Sequence, residues 1–142
     1  MDTGTRTRVA AALSGGVDSA VAALLLYRQG LTVWGVHLRL GDGPATPPNL
    51  PALAAHLGLP LEVLDLREEF ARLVVDYFVD QYFQGHTPNP CVRCNAGIKF
   101  GLLWEKVRAQ GATHLATGHY ARIERRSGCY LLLKAVDSAK DQ

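Results

Sequence analysis

Apolar and polar positions fall along this chain in blocks that fit strands and helices in turn. Residues 9–13 are wholly apolar and read as a buried strand. The run stops at Ser14-Gly15-Gly16-Val17-Asp18-Ser19, and a second apolar run, 20–26, opens a helix predicted over 19–29 with Gly30 as its stop. Residues 31–38 (LTVWGVHL) are β-branched and aromatic, which predicts strand two. Residues 40–48 (LGDGPATPP) are turn chemistry throughout. A short helix at 50–57 closes on Gly58, and 61–66 reads as strand three. Over 67–83, Phe70, Leu73, Val74, Tyr77 and Phe78 recur at spacings of three and four, an amphipathic helix. Residues 84–95 read as a loop. Residues 96–110 read as a helix with Ile98, Leu102, Leu103 and Val107 on one side, closed by Gly111. Residues 113–117 are strand four. After Gly118 the runs 120–125 and 130–136 flank Arg126-Ser127-Gly128 and read as a hairpin.

Strands alternating with helices predict an α/β fold with right-handed crossovers, a doubly wound, Rossmann-like parallel sheet. Ligands in such folds sit outside the carboxyl ends of the strands. The Ser14 turn, Leu38, the loop after Asp65 and Gly118 would share that edge. A length of 142 residues suits one domain, and 48% apolar with 20% charged residues is ordinary for a globular protein. No apolar run approaches the ~20 residues that cross a bilayer, so no membrane partner is expected. The start, MDTGTRTR, has no following cleavage site, and its apolar run ends in the turn, so a signal peptide is rejected. Three cysteines, an odd number, argue for free thiols in a reducing, cytoplasmic setting. Charge is uneven. Residues 1–90 hold 6 Lys/Arg and 9 Asp/Glu, net −3, while residues 91–142 hold 9 and 4, net +5. A polyanion fits the second part, although a solvated mixed surface explains the charge equally well.

The turn at 14–19 carries the first chemistry. Its glycines let the backbone bend sharply and approach a ligand. Ser14, Asp18 and Ser19 are types that cap helix starts. Free N–H groups, a helix dipole and two hydroxyls then converge on one point, an anion site for phosphate. GxxxxGK[ST] would need a lysine that is absent, and GxGxxG does not match. The alternative is a glycine turn that only joins strand to helix.

The second motif is GHTPNPCVRCN, residues 85–95. Two prolines stiffen it and remove two backbone donors. Cys91-x-x-Cys94 is open to several readings: half a zinc site, for which only His86 and Cys129 could complete the set; part of an iron–sulfur cluster, the less favoured cofactor; inert structure; or a redox or nucleophilic pair. Arg93 and the helix start predicted at Asn95–Ala96 would favour thiolate. His37 is expected to pack and His56 to face solvent. His119, beside Gly118, either packs or meets a phosphate.

SGGxDS resembles the pyrophosphate loop of the ATP pyrophosphatase superfamily. SGGVDS, GHTPNPCVRCNAGIKF, ATGHYAR at 116–122 and LLLKAVDSAKDQ at 131–142, in that order, resemble the tRNA-specific 2-thiouridylases over essentially the whole chain. The resemblance implies an adenine nucleotide alpha hydrolase-like fold and ATP-dependent replacement of the wobble uridine 2-oxygen by sulfur. ATP and Mg²⁺ are the implied cofactors; tRNA and a persulfide-carrying sulfur donor are the implied partners; a disulfide belongs to the implied chemistry. By position, Ala12, Leu13, Ser14, Gly15, Gly16, Val17, Asp18 and Ser19 match the ATP loop, and Leu38 and Gly118 match further ATP contacts. Asn89, Pro90 and Cys91 match a segment touching the target base, and Lys140, Asp141 and Gln142 a segment touching tRNA. Cys94 matches the catalytic cysteine, and Asp18 is a possible Mg²⁺ partner.

Three departures stand out. A thiol, Cys91, occupies a catalytic position where many relatives carry an acidic residue that could serve as acid or base, a role left to the Cys91 thiolate or to another group. The loop after Leu38 is short and lacks an acidic, cysteine-containing stretch. No cysteine matches the persulfide carrier, and Cys129 reads as packing or surface. Residues 1–142 are thus expected to be the ATP-binding catalytic domain, with the family's central and C-terminal β domains absent. The alternative function is a non-catalytic or truncated ATP-binding module.

Overall fold

The computed structural model describes residues 7–137 and 139. Four parallel strands, β1 (Arg8–Ala12), β2 (Thr32–Arg39), β3 (Leu61–Asp65) and β4 (His114–Ala116), form one sheet in the order β3-β2-β1-β4. Period-two alternation gives β1 two apolar faces. Val9, Ala11 and Leu13 pack with Val33, Leu50 and Leu59 under α1 (Val17–Arg28) and α2 (Leu50–Leu57). Ala10 packs on the other face with Val36, Leu103 and Val107. Helices cover both faces, as a doubly wound sheet requires.

The second face is covered by two long helices. One, α3, runs over 67–83 as Arg67–Phe70 and Asp76–Phe83 joined by a wide π-type turn, Ala71–Val75. The other, α4, runs over 90–109 as Pro90–Arg93, a wide stretch Cys94–Leu103, and Trp104–Ala109. Leu66, Val74 and Ile98 form a third buried cluster between them. The sequence expectation of a loop through 84–95 is corrected here. Asn89 caps α4, its Oδ1 accepting from the N–H groups of Cys91 at 3.0 Å and Val92 at 3.4 Å, and Pro90 takes the first position. That position needs no N–H, so the proline starts a helix rather than excluding one.

β5 (Arg122–Arg126) and β6 (Cys129–Leu133) form the expected antiparallel hairpin. Its two-residue turn places Ser127 at φ 47° and Gly128 at φ 84°. No helix among the described residues is long and apolar enough to cross a membrane.

Candidate active site

The turn after β1 is braced from several directions. Leu13 N–H donates to Val36 O at 2.8 Å, which extends the β1–β2 ladder to the turn itself. The Ser19 hydroxyl donates to Gly16 O at 3.1 Å and accepts from Ser14 N–H at 3.2 Å. Gly16 N–H donates to Ser14 Oγ at 3.2 Å. Both hydroxyls thus brace the turn, and both serines also line the cavity beside it. Gly15 is at φ +87°, the left-handed region, and a Cβ there would stand 3.3 Å from Asn49 Oδ1 and Pro47.

Asn49 precedes α2 but does not cap it. Its Nδ2 instead donates to Gly15 O at 2.9 Å, clamping the turn from across the fold. Asn49→Ala removes this bond, a loss of about 1 kcal/mol. Nucleotide binding, measured by calorimetry, is expected to weaken about fivefold. Unchanged affinity would show that the turn holds itself.

The first N–H groups of α1 have no intrahelical acceptors, and they lie at the positive end of its dipole. Against this helix start sits Gly118, from the loop after β4. A Cβ on Gly118 would fall 2.7 Å from Ser19 N and 3.0 Å from Ser19 Cα.

Between these parts lies a cavity of about 330 Å³. Of the sequence-predicted ATP residues, Ala12, Leu13, Ser14, Asp18, Ser19, Leu38 and Gly118 line it. Gly15, Gly16 and Val17 build the turn without lining it. Its remaining walls are Val36, His37, Leu40, Lys99, Thr117 and His119. Apolar strand ends on one side and an anion cradle on the other suit a base joined to a phosphate chain.

Polar contacts set the site's charge. Tyr120 O–H donates to Asp18 Oδ1 at 2.9 Å, and the carboxylate pushes that phenol up. Asp18 is exposed at the helix start, a hard oxygen donor of the kind Mg²⁺ accepts. His37 both packs and lines the cavity. Its Nδ1 is 2.8 Å from Leu13 O, an atom that only accepts, so Nδ1 carries the proton. His119 Nδ1 is 2.7 Å from Thr117 Oγ1. Burial, with Lys99 adding to it, pushes the His119 imidazole down from its ordinary range.

The cysteines lie on α4. Cys91 is exposed in its first turn, Cys94 is half-buried against the Leu66–Val74–Ile98 cluster, and Cys129 is exposed on β6. All three are free thiols. The expected shift of Cys94 toward thiolate is corrected. Burial pushes the Cys94 thiol up, the nearby Cys91 adds to that, and Lys99 alone opposes it. The Arg93 guanidinium is instead stacked 4.2 Å over the Tyr77 ring. Asn89, Pro90 and Cys91 form the start of α4 and do not line the cavity. Among the described residues no three His, Cys, Asp or Glu side chains gather as a metal-ligand group. Lys140, Asp141 and Gln142 lie outside the described residues.

Reasoning from sequence left Asn49, Tyr120 and Lys99 out of the site. Lys99 had a usable signal, a cation five positions after Cys94 on a predicted helix. Asn49 and Tyr120 had none short of the topology.

A four-stranded parallel sheet with helices on both faces and a glycine turn at its carboxyl edge defines a Rossmann-like α/β domain. The family model described as "tRNA methyl transferase HUP domain" matches residues 7–142, and the chain belongs to that family. The resemblance to tRNA-specific 2-thiouridylases holds: curated proteins of that name, MnmA, are similar to this chain. That of Geobacter metallireducens is 46% identical over 96% of this chain and 42% of its own length. That of Syntrophomonas wolfei is 50% identical over 95% of this chain and 40% of its own. The chain thus spans about two fifths of these relatives. Among solved structures, a predicted tRNA methyltransferase subunit from Methanocaldococcus jannaschii superposes with TM-score 0.57 at 21% identity, covering 78% of this chain and 53% of that one. NH₃-dependent NAD synthetase from Campylobacter jejuni gives 0.50 at 21%, covering 80% and 47%. These two show the fold.

Proposed function

We propose that this chain is the ATP-binding, adenylating part of a tRNA 2-thiolation enzyme. One observation carries the reading. The phosphate cradle and the helix bearing Cys94 meet at a single cavity, with Lys99 of that helix in its wall. A cradle of backbone N–H groups suits release of pyrophosphate, because it stabilises charge that grows on the leaving group. Methyl transfer, the activity in the family's description, has no use for such a grip.

The chemistry is as follows. Uridine O2 attacks the α-phosphorus of ATP, the α–β bridge breaks, and pyrophosphate leaves. The terminal sulfur of a donor's cysteine persulfide attacks C2 and expels AMP with the former O2. The Cys94 thiolate attacks the donor's cysteine sulfur. The S–S bond breaks, its electron pair stays on the 2-thiouridine, and a disulfide joins Cys94 to the donor. Asp18 would hold Mg²⁺, which neutralises phosphate charge. The tRNA contacts fall to Asn89, Pro90 and Cys91 at the exposed start of α4, and to Lys140, Asp141 and Gln142. The cysteine that presents the donor's persulfide sulfur to C2, and further tRNA contacts, would come from outside this chain, which spans about two fifths of its relatives. Free thiols suit a reducing cytoplasm.

Labelled ATP, with and without bulk tRNA, tests the reading. AMP and pyrophosphate are expected, and only with tRNA. ADP and phosphate would mean that the cradle serves another cleavage. Binding without turnover, with tRNA and a persulfide donor both present, would leave a nucleotide-binding module.

A further inference from the structure

Lys99 is half-buried, lines the nucleotide cavity, and follows Cys94 by five residues within the wide-turn stretch of α4. In a π-type turn the i→i+5 spacing is the hydrogen-bonding repeat, so the two residues lie one turn apart on the same stretch. Cys94 faces apolar neighbours elsewhere: Leu66, Val74 of α3 and Ile98 surround it. The charge that favours its thiolate is that of Lys99, and Cys91 on the same helix acts against it. Lys99 shares the cavity lining with Asp18 from α1, His37 from β2 and His119 after β4. Burial and Lys99 itself disfavour the charged form of His119, which makes it a poor substitute for the lysine as a cation.

A phosphate chain entering this cavity brings several negative charges to the same ammonium. From this we infer that Lys99 is a shared cation, binding nucleotide phosphates when they are present and serving Cys94 when they are absent, so that occupancy of the cavity sets the reactivity of that thiol. The inference rests on the thiolation reading and assigns Lys99 within it. It gives the reaction an order. While ATP phosphates fill the cradle, Cys94 stays protonated and inert. Once pyrophosphate departs, the ammonium is free to favour the thiolate, when sulfur transfer first needs it.

The test uses the full chain with Cys91→Ser and Cys129→Ser, which leaves Cys94 as the single thiol of the three. Its alkylation rate by iodoacetamide is followed against pH, with and without α,β-methylene-ATP and Mg²⁺. The nucleotide analogue is expected to move the midpoint upward, slowing the reaction at pH 7.5 about fivefold with an unchanged rate at high pH. Lys99→Met should show the raised midpoint without nucleotide, and saturating analogue should not move it further. Lys99→Arg keeps the charge and should restore the nucleotide response. A lower rate at high pH with an unmoved midpoint would mean simple shielding and overturn the inference. So would a Lys99→Met midpoint equal to that of the parent. Absence of analogue binding in the parent would overturn the thiolation reading as well, whereas binding with no midpoint movement overturns only the role of Lys99.

Discussion

Gly118→Val is expected to reduce ATP affinity at least about a hundredfold while the far-ultraviolet circular dichroism stays that of a folded α/β domain. The reason is space. A Cβ at Gly118 meets the backbone of Ser19 at 2.7 Å and 3.0 Å, and that backbone has no flexible end to swing away. The loop after β4 must lift off α1. Thr117 and His119 would leave the cavity wall with it, and so would the Tyr120 hydroxyl that donates to Asp18. Overpacking of this kind costs typically 1–3 kcal/mol. Here the strain falls on the cradle rather than the core, because Val9, Ala10 and Ala11 of β1 are buried independently of it. Gly118→Ala, with one methyl, should cost about tenfold. Affinity within twofold of the parent for both variants, by calorimetry, would show that Gly118 does not position the site. The two glycines differ in kind. Gly15 is required for its positive φ, Gly118 for the missing side chain.

Cys94→Ser should leave ATP binding and tRNA-dependent pyrophosphate release within about twofold, and lower 2-thiouridine formation at least about a thousandfold, in a preparation supplied with a persulfide donor. Serine is nearly isosteric, so the packing of residue 94 against the Leu66–Val74–Ile98 cluster survives. Its hydroxyl cannot form the disulfide that completes sulfur release. The two half-reactions therefore separate in this variant. Mass spectrometry of nucleosides from digested tRNA reads the second, and labelled pyrophosphate reads the first. Thiolation near the parent rate would remove Cys94 from the chemistry.

Much of this arrangement is written in the order of residues. The run from Val9 to Ser19 can be read as strand, turn and helix because its apolar block stops at two glycines. Gly30, Gly58 and Gly111 mark helix ends because all three take positive φ there. The register of the sheet then brings Leu38 and Gly118 to the Ser14 edge, as the alternation of strands and helices implies. The start of α4 was equally readable, since Asn89-Pro90 is a cap followed by a first-turn proline, but two prolines in four residues look like a loop. Burial was not readable. The position of Arg93 between Cys91 and Cys94 promises a stabilised thiolate, whereas in three dimensions the guanidinium stacks on Tyr77 and the thiol faces the apolar cluster. Asn49 reaches Gly15 across 34 positions and Tyr120 reaches Asp18 across 102, contacts that local pattern does not encode.

The sheet order has a consequence for how the protein is made. β1, the first strand of this sheet to emerge from a ribosome, pairs with β2 on one side and with β4 on the other, Val9 opposite His114 and Ala11 opposite Ala116. The early pairs with β2 form once some forty residues are out. β1 nevertheless keeps an open edge until residue 116 is released, and Gly118 reaches Ser19 only after that. Until then a nascent chain carries the Ser14–Ser19 turn without the loop that seats it, and with an unpaired strand edge that chaperones are placed to cover. A ligand of the cavity can act as a folding ligand only after that point, when β4 has joined β1 and the Gly118 loop has reached Ser19.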